Sequence, residues 1–589
     1  MQKLFLVFLF LGSFNISFAA YWDGSVSEPV NTRQIDGKIF FVITKAQELA
    51  WFAMQVNSGQ TKINAVLDAD IEFTDSIASF HDIDTNLAKL WTPIGKSSDY
   101  MFEGIFDGKN FSIEGLYVKL VDVCGLFGWI GKDGNIKNVT IKHSNMSAKY
   151  HLGSIAGYNL GSISNCRNEM SLVGFQDSTR VNASDSLYYV GGIVGSNWGN
   201  INGCTNNGYV GGSKIISVGC IAGINAGVVK NCITLHGLYI SPYTYGFFIY
   251  VGGIVGYNSG VIDSCETNTE TDRFSISADG WRSSDPYQGN SGSSYVGGIT
   301  AYSTGVVANS VNNFIVENGN RFEFGYMGGI AGYNSGDIYN SSNKGEINNS
   351  GYANTIYRNT YAFTGGIAGD NRGKIYGCFN SGRIYSYSWA TYTKAKELAY
   401  TGGIAGNNFG SVVASTNEGR VLGRGSSSYS GGIAGLNSGA LAKVSSSYSS
   451  IDTVSGPACG GGIIGKNMDS ASAMNSYFNS TVDSLDLDAI GCEYASSENV
   501  KGVTDLEFQD MIAGGIPAQV ISHPLRLFIH SRKLYVESAN LGDPLVLYDL
   551  QGKRLFQNKI KSLLQEFQLP HNGAYIVRVG KITQKVIVK

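Results

Sequence analysis

Apolar residues recur along this chain at a fixed distance from glycines rather than at helical spacing. The strings GGIVGSNWG at 191, GGIVGYNSG at 252, GGIAGYNSG at 328, GGIAGDNRG at 365, GGIAGNNFG at 402 and GGIAGLNSG at 431 carry the pattern. With the central aliphatic as position zero, anchors fall at Leu126, Ile155, Ile193, Ile221, Ile254, Ile299, Ile330, Ile367, Ile404, Ile433 and Ile463, 28 to 45 residues apart. A second aliphatic follows eight residues later at Ile163, Ile201, Val229, Ile262, Val307, Ile338, Ile375, Val412 and Leu441. A third follows at Val210, Ile347, Ile384 and Val421. The runs between turn residues are short and β-branched, the length of single strands, and none keeps helical periodicity. A period of this size in tandem means a repeat architecture.

Two polar positions punctuate each unit. Asn stands four residues after the anchor, at Asn159, Asn197, Asn225, Asn258, Asn334, Asn371, Asn408, Asn437 and Asn467, and Gly two residues further on in all but the last. Asn-x-Gly predicts a corner with positive φ. A second turn follows in the best-kept units, as Asn206-Asn207-Gly208, Asn343-Lys344-Gly345, Asn380-Ser381-Gly382 and Asn417-Glu418-Gly419. Strand, turn, strand, turn, strand describes an all-β parallel β-helix, a solenoid of about eleven or more coils with three short strands per coil. Equal positions then stack at about 4.8 Å, so the nine Asn predict a hydrogen-bonded structural ladder and the anchors an apolar spine. A propeller blade competes, but needs roughly 40–50 residues per unit.

The ends differ from the middle. Residues 44 to 57 (TKAQELAWFAMQVN) predict an amphipathic capping helix, with Thr44 and Gln47 at capping-box spacing and Leu49, Phe52, Ala53 and Val56 on one face. Irregular first coils are expected at 66 to 73 and 102 to 118 with a turn at 91 to 95, and a second short helix near 504 to 512. Beyond about 525 glycine thins and alternating runs predict a small antiparallel β-sandwich. Met1 to Ala19, with its apolar run Leu4 to Leu11 and Ser17-Phe18-Ala19, reads as a secretory signal peptide. The expected organisation is therefore 1–19 signal peptide, 20–124 N-terminal cap and first coils, 125–485 repeat β-helix, 486–522 cap and linker, and 523–589 β-sandwich.

Composition narrows the function. Of 589 residues 15% are charged and the net charge is -3, which gives no electrostatic reason to bind nucleic acid. No stretch of the mature chain is long enough to span a membrane as a helix. Of nine cysteines, Cys166, Cys204, Cys232, Cys265 and Cys378 share one repeat position, where Ser310, Ser341 and Ser415 stand in other units. That exchange predicts small buried packing residues, although stacking would also bring neighbours to disulfide separation. There is no CxxC or HExxH spacing, no nucleophile elbow and no P-loop, so neither a metal nor a cofactor is expected. Asp263, Asp337, Asp370, Arg372 and Lys374 are expected at exposed turns.

An aromatic column is the candidate binding feature. Tyr189, Tyr250, Tyr295, Tyr326, Phe363, Tyr400 and Tyr429 each stand four residues before an anchor. Strict alternation would point them inward with the anchor; a bulge at Gly-Gly would turn them out, where they could contact sugar rings. Tyr- and Ser-rich inserts at 236–250, 351–363 and 384–400 fall before Gly-Gly, on one face.

The repeat resembles the GLUG motif family of bacterial surface proteins over about 125 to 470, through the GGIAGxNxG strings quoted above; the copies at Gly125 and at Gly297-Gly298-Ile299-Thr300-Ala301-Tyr302-Ser303 depart from it. The resemblance implies an adhesin-like β-helical module with no conserved chemistry. The last segment looks like a type IX secretion sorting domain, through Val546-Leu547-Tyr548-Asp549-Leu550-Gln551-Gly552-Lys553, Gly573-Ala574-Tyr575-Ile576-Val577-Arg578-Val579 and Lys585-Val586-Ile587-Val588-Lys589. That likeness implies partners in an export machinery and a place outside a Gram-negative-type outer membrane. The expectation is a non-enzymatic secreted or surface protein that binds polysaccharide or another surface. A polysaccharide lyase or hydrolase and an envelope spacer are the alternatives.

Overall fold

The computed structural model describes residues 22–73, 88–170, 172–174, 189–212, 216–240, 248–268, 275–279, 293–319, 324–353, 360–390, 397–450, 454–455, 458–480, 488–493, 496–504 and, after 525, the strands between Arg526 and Val588. The expected leader, residues 505–512 of the expected short helix and the tips of the inserts lie outside these residues. The chain is a parallel β-helix. Anchors Leu126 to Ile463 are all fully buried and form one continuous core with the second aliphatics other than Leu441 and with the third.

One coil shows the plan. Phe324–Gly328 lies in an eleven-stranded sheet, here sheet A, and Ala331–Asn334 in a twelve-stranded sheet B. Asp337–Tyr339 and Ser342–Asn343 belong to sheet C of twenty-eight strands, and Ile347–Ala353 to sheet D of nine. Each coil thus adds a strand before Gly-Gly and a two-residue strand to the three expected. Register is in step from coil to coil: Tyr326 pairs with Phe363, Ala331 with Ala368, Ile338 with Ile375 and Ile347 with Ile384, all parallel.

Two side-chain ladders run through the interior. Asn159 Nδ2 donates to Asn197 Oδ1, Asn197 to Asn225 and Asn225 to Asn258, at 2.8 to 2.9 Å. Asn258 donates to Ser303 Oγ at 3.2 Å, and this serine leaves Asn334 Oδ1 without a partner. The ladder resumes through Asn334, Asn371, Asn408, Asn437 and Asn467 at 2.8 to 2.9 Å. Every donor points the same way, so the bonds polarise one another. The second ladder joins Asn168 to Asn206, and further on Asn312, Asn343, Asn380 and Asn417, at 2.7 to 2.8 Å.

The glycine of Asn-x-Gly is not at positive φ in most coils. It is glycine because of close approach: a Cβ on Gly373 would sit 1.7 Å from the carbonyl oxygen of Gly336 in the preceding coil. The left-handed corner lies instead before the Cys/Ser position, at Asn309, Asn340, Gly377, Ala414 and Ser446, with φ from 45° to 62°. Cys and Ser interchange there because both donate to the carbonyl two residues back: Ser341 Oγ to Tyr339 O at 2.9 Å, Cys378 Sγ to Tyr376 O at 3.5 Å. These cysteines are free and buried, and burial pushes the Cys378 thiol up to about 12, where it is unreactive.

Three local expectations are corrected. Leu441 is 81% exposed, and Val444 takes the core position opposite Val412, because a turn at Gly439 (φ 100°) adds three residues. Asp263, Asp337 and Asp370 are buried rather than exposed. The helix runs Ala46–Asn57 with Lys45 at its N-cap; Glu48, not Gln47, accepts from the Thr44 N–H and hydroxyl, at 2.8 and 3.0 Å. Phe52 of this helix packs on Phe102 and Phe106 and closes the end of the core. After residue 525 two antiparallel sheets, of three and four strands, form the β-sandwich around Leu545, Leu547, Tyr575 and Val577.

Candidate functional site

Sheet A ends at the first Gly of Gly-Gly and sheet B begins after the anchor Ile, so alternation is reset between them. Residues three before the anchor, such as Val251, Val296 and Met327, enter the core. The aromatic residues four before it therefore face outward. Position plus three faces outward from sheet B. The two outer walls converge, because a Cβ on Gly332 in sheet B would come within 2.8 Å of backbone atoms of Val296 and Tyr326 in sheet A. Hence the third glycine of GGIAG: the crease between the walls is re-entrant and leaves no room at its base for a side chain.

The result is a groove along the coil axis, lined by two ring columns. On the sheet A wall Tyr250, Tyr295, Tyr326, Phe363, Tyr400 and Tyr429 stack face to face, with centroids 4.7 to 5.6 Å apart and planes within 25°. Tyr189 stacks on His151 at 5.5 Å, and Ser217 separates it from Tyr250. On the sheet B wall stand Trp129 and Tyr158, then Tyr257, Tyr302 and Tyr333 at 5.3 and 4.3 Å. Rings from opposite walls meet edge to face, Tyr250 on Tyr302 at 5.5 Å and Tyr295 on Tyr302 at 5.4 Å. The sequence showed the first column. The second occupies the x of GGIAGxN, where the recurrence of Tyr was the available signal.

All the rings are half-buried. A ring stacked at under 6 Å on both sides covers its neighbours' faces, so the columns show ring edges and phenol hydroxyls to solvent rather than faces. This geometry excludes face contact with sugars for the inner members, which the sequence had left open. Burial pushes the Tyr326 and Tyr400 hydroxyls up to about 12, and raises those of Tyr295 and Tyr302 further. They stay protonated and able to donate at any ordinary pH.

Beyond Tyr333 the sheet B column loses its rings, continuing through Asp370, Asn407, the aliphatic Leu436 and Lys466. Asp370 is 1% exposed; its Oδ2 accepts from Arg372 Nε at 3.3 Å and its Oδ1 from Asn407 Nδ2 at 3.2 Å. Burial raises its carboxyl to about 6 despite Arg372. The Arg372 guanidinium lies over Tyr333 at 5.5 Å and Phe409 at 5.3 Å, and Lys466 Nζ lies over Tyr429 at 4.7 Å.

At the C-terminal end Cys459 and Cys492 replace the rings. They are disulfide-bonded with Cα atoms 5.9 Å apart, across the same register step that joins Tyr250 to Tyr302. Nothing in the repeat pattern pairs these two cysteines, since they belong to different positions of different units. The predicted column is thus brought together on one wall, and the Asn ladder residues lie behind it in the core. Among the described residues no three His, Cys, Asp or Glu side chains converge as a metal site, and no helix is long and apolar enough to cross a membrane.

No family model and no curated protein matches the chain. Among solved structures it is similar to one described as a "putative immunoglobulin A1 protease" from Bacteroides ovatus, at 20% identity with a TM-score of 0.33, over 53% of this chain and 78% of that one.

Proposed function

We propose that this protein is a non-enzymatic, adhesin-like binding module of the cell exterior, and that its groove holds an extended glycan along the coil axis. The observation that supports this reading is the double file of half-exposed tyrosines. Their hydroxyls, repeated at coil spacing on two converging walls, form a ribbon of donors and acceptors matched to a polymer of hydroxyl-bearing rings. Stacking fixes the rings in advance, so binding costs little side-chain entropy. The carboxylate in the sheet B wall, Asp370, is held by Arg372 and Asn407, which suits recognition better than proton transfer. The leader, the disulfide at Cys459 and Cys492, and the likeness of the last segment to a sorting domain all favour export.

Removing hydroxyls while keeping the rings tests the idea. Tyr326→Phe with Tyr400→Phe extends the native Phe363 pattern, so the fold should hold. On a glycan array, any ligand of the wild type should lose about fivefold or more in affinity, as roughly 1 kcal/mol per lost hydrogen bond implies. Unchanged binding by a folded double variant would refute the reading.

A further inference from the structure

The polar break in the sheet B column differs from the rest of the groove. In the three preceding coils that position is Tyr257, Tyr302 and Tyr333; in the next it is Asp370. A buried carboxylate in an aromatic wall is poor for stability, because desolvating it costs more than one ion pair commonly returns. Its effect is positional. Asp370 grips Arg372 by Nε alone, and the guanidinium carbon is held against two rings, those of Tyr333 and Phe409. The side chain remains 53% exposed, and its terminal nitrogens make no hydrogen bond among the described residues. A planar cation is thus set in the groove with its outer edge free. Two parallel N–H groups suit a carboxylate better than a neutral hydroxyl. Lys466, three coils further on and about 14 Å away at coil spacing, places a second cation on the same wall.

We infer that Arg372, oriented by Asp370 and Asn407, is a carboxylate-reading subsite that makes the groove selective for an acidic polysaccharide, an inference that rests on the groove taking a glycan. Tyr326 and Tyr333, which also face this pair, supply neutral hydroxyls to the rest of the sugar.

The test uses the full chain with alginate and its carboxyl-reduced form as probes, in affinity electrophoresis at low and high salt. The wild type should bind alginate about tenfold more tightly than the reduced polymer, the size of one charge-assisted contact, with the margin shrinking in salt. Arg372→Gln should abolish the margin and leave the residual binding of the reduced polymer intact. Arg372→Lys should restore only part of it. Arg372→Lys should melt near the wild type, whereas Arg372→Gln leaves the buried Asp370 carboxylate without its cation and should melt lower, so the margin is also read in the Asp370→Asn/Arg372→Gln pair, which removes that charge. Equal binding of both polymers by the wild type, or a margin that survives in Arg372→Gln, overturns the carboxylate subsite and leaves the glycan groove standing. Binding of neither polymer, with no glycan affected by the Tyr-to-Phe pair, overturns both.

Discussion

Two glycines four residues apart in one coil should respond in opposite ways to substitution. Gly373, of Asn-x-Gly, would place a Cβ 1.7 Å from Gly336 O and 2.7 Å from Gly336 C, both backbone atoms of the coil beneath. No rotamer relieves that contact, so the coils must part by more than 1 Å. Three bonds cross the gap at this corner: Arg372 N to Asn334 O at 2.7 Å, Lys374 N to Gly336 O at 3.0 Å and the Asn334–Asn371 ladder bond at 2.9 Å. At about 1 kcal/mol each, plus about 1–3 kcal/mol of overpacking, Gly373→Ala should cost on the order of 4–6 kcal/mol. Gly377 has φ of 62° and only the tip of Asn340 near its missing Cβ. Asn occupies that corner at Asn309 and Asn340 with φ of 51° and 45°. Gly377→Asn should therefore change stability by no more than about 1 kcal/mol, because the unfolded chain loses freedom it no longer has to give up. Urea unfolding gives the global effect, and hydrogen exchange of peptides from residues 360–390 gives the local one, which matters because solenoids unfold by neighbouring units. If Gly373→Ala melts with the wild type, or Gly377→Asn is the worse of the two, close approach is not what these glycines serve.

Two further outcomes follow from corrected positions. Leu441→Ser should alter stability by less than about 0.5 kcal/mol, whereas Val444→Ala should cost roughly 1–3 kcal/mol, as read from urea midpoints; the reverse order would restore Leu441 to the core. Asp370 holds its proton more tightly when folded, up to about 6 from 3.8, so its stabilising contribution is complete below 3.8 and is lost as pH rises through 6. Relative to Asp370→Asn, the wild type should gain at most about 3 kcal/mol on acidification across that window, and parallel stability curves for the two proteins would contradict the burial of this carboxylate.

Much of the coil was legible because stacking repeats one side chain at one position. Ile330 and Asn334 recur in step, and a one-residue error would expose the whole spine. What escaped falls where the repeat is broken or its meaning is not local. Leu441 obeys the count but not the path, since Gly439 starts a longer turn. Asp370 looks like a surface charge in a variable slot until the facing wall is known. The direction of Tyr326 stays open in the sequence, because strict alternation and a bulge at Gly328 and Gly329 point it opposite ways. Cys459 and Cys492 come together only because two sheets converge and a coil step separates them. The Asn-x-Gly corner was placed correctly and explained wrongly: the signature of a tight turn and that of tight stacking are the same residue.

The long Tyr- and Ser-rich inserts enter between the strand of sheet D and the next strand of sheet A, as between Ala353 and Thr360 or Ala390 and Glu397, while smaller additions lie at Gly439 and between Thr267 and Ser275. The largest changes of chain length thus fall at one seam while the spine, both ladders and the crease stay in phase. That seam opens onto the rim of the ring-lined wall, where Phe324 and Tyr361 stack at 4.9 Å. Lengthening or trimming one insert would re-cut the border of a single rung without retuning its neighbours, so the scaffold can acquire a new specificity one coil at a time.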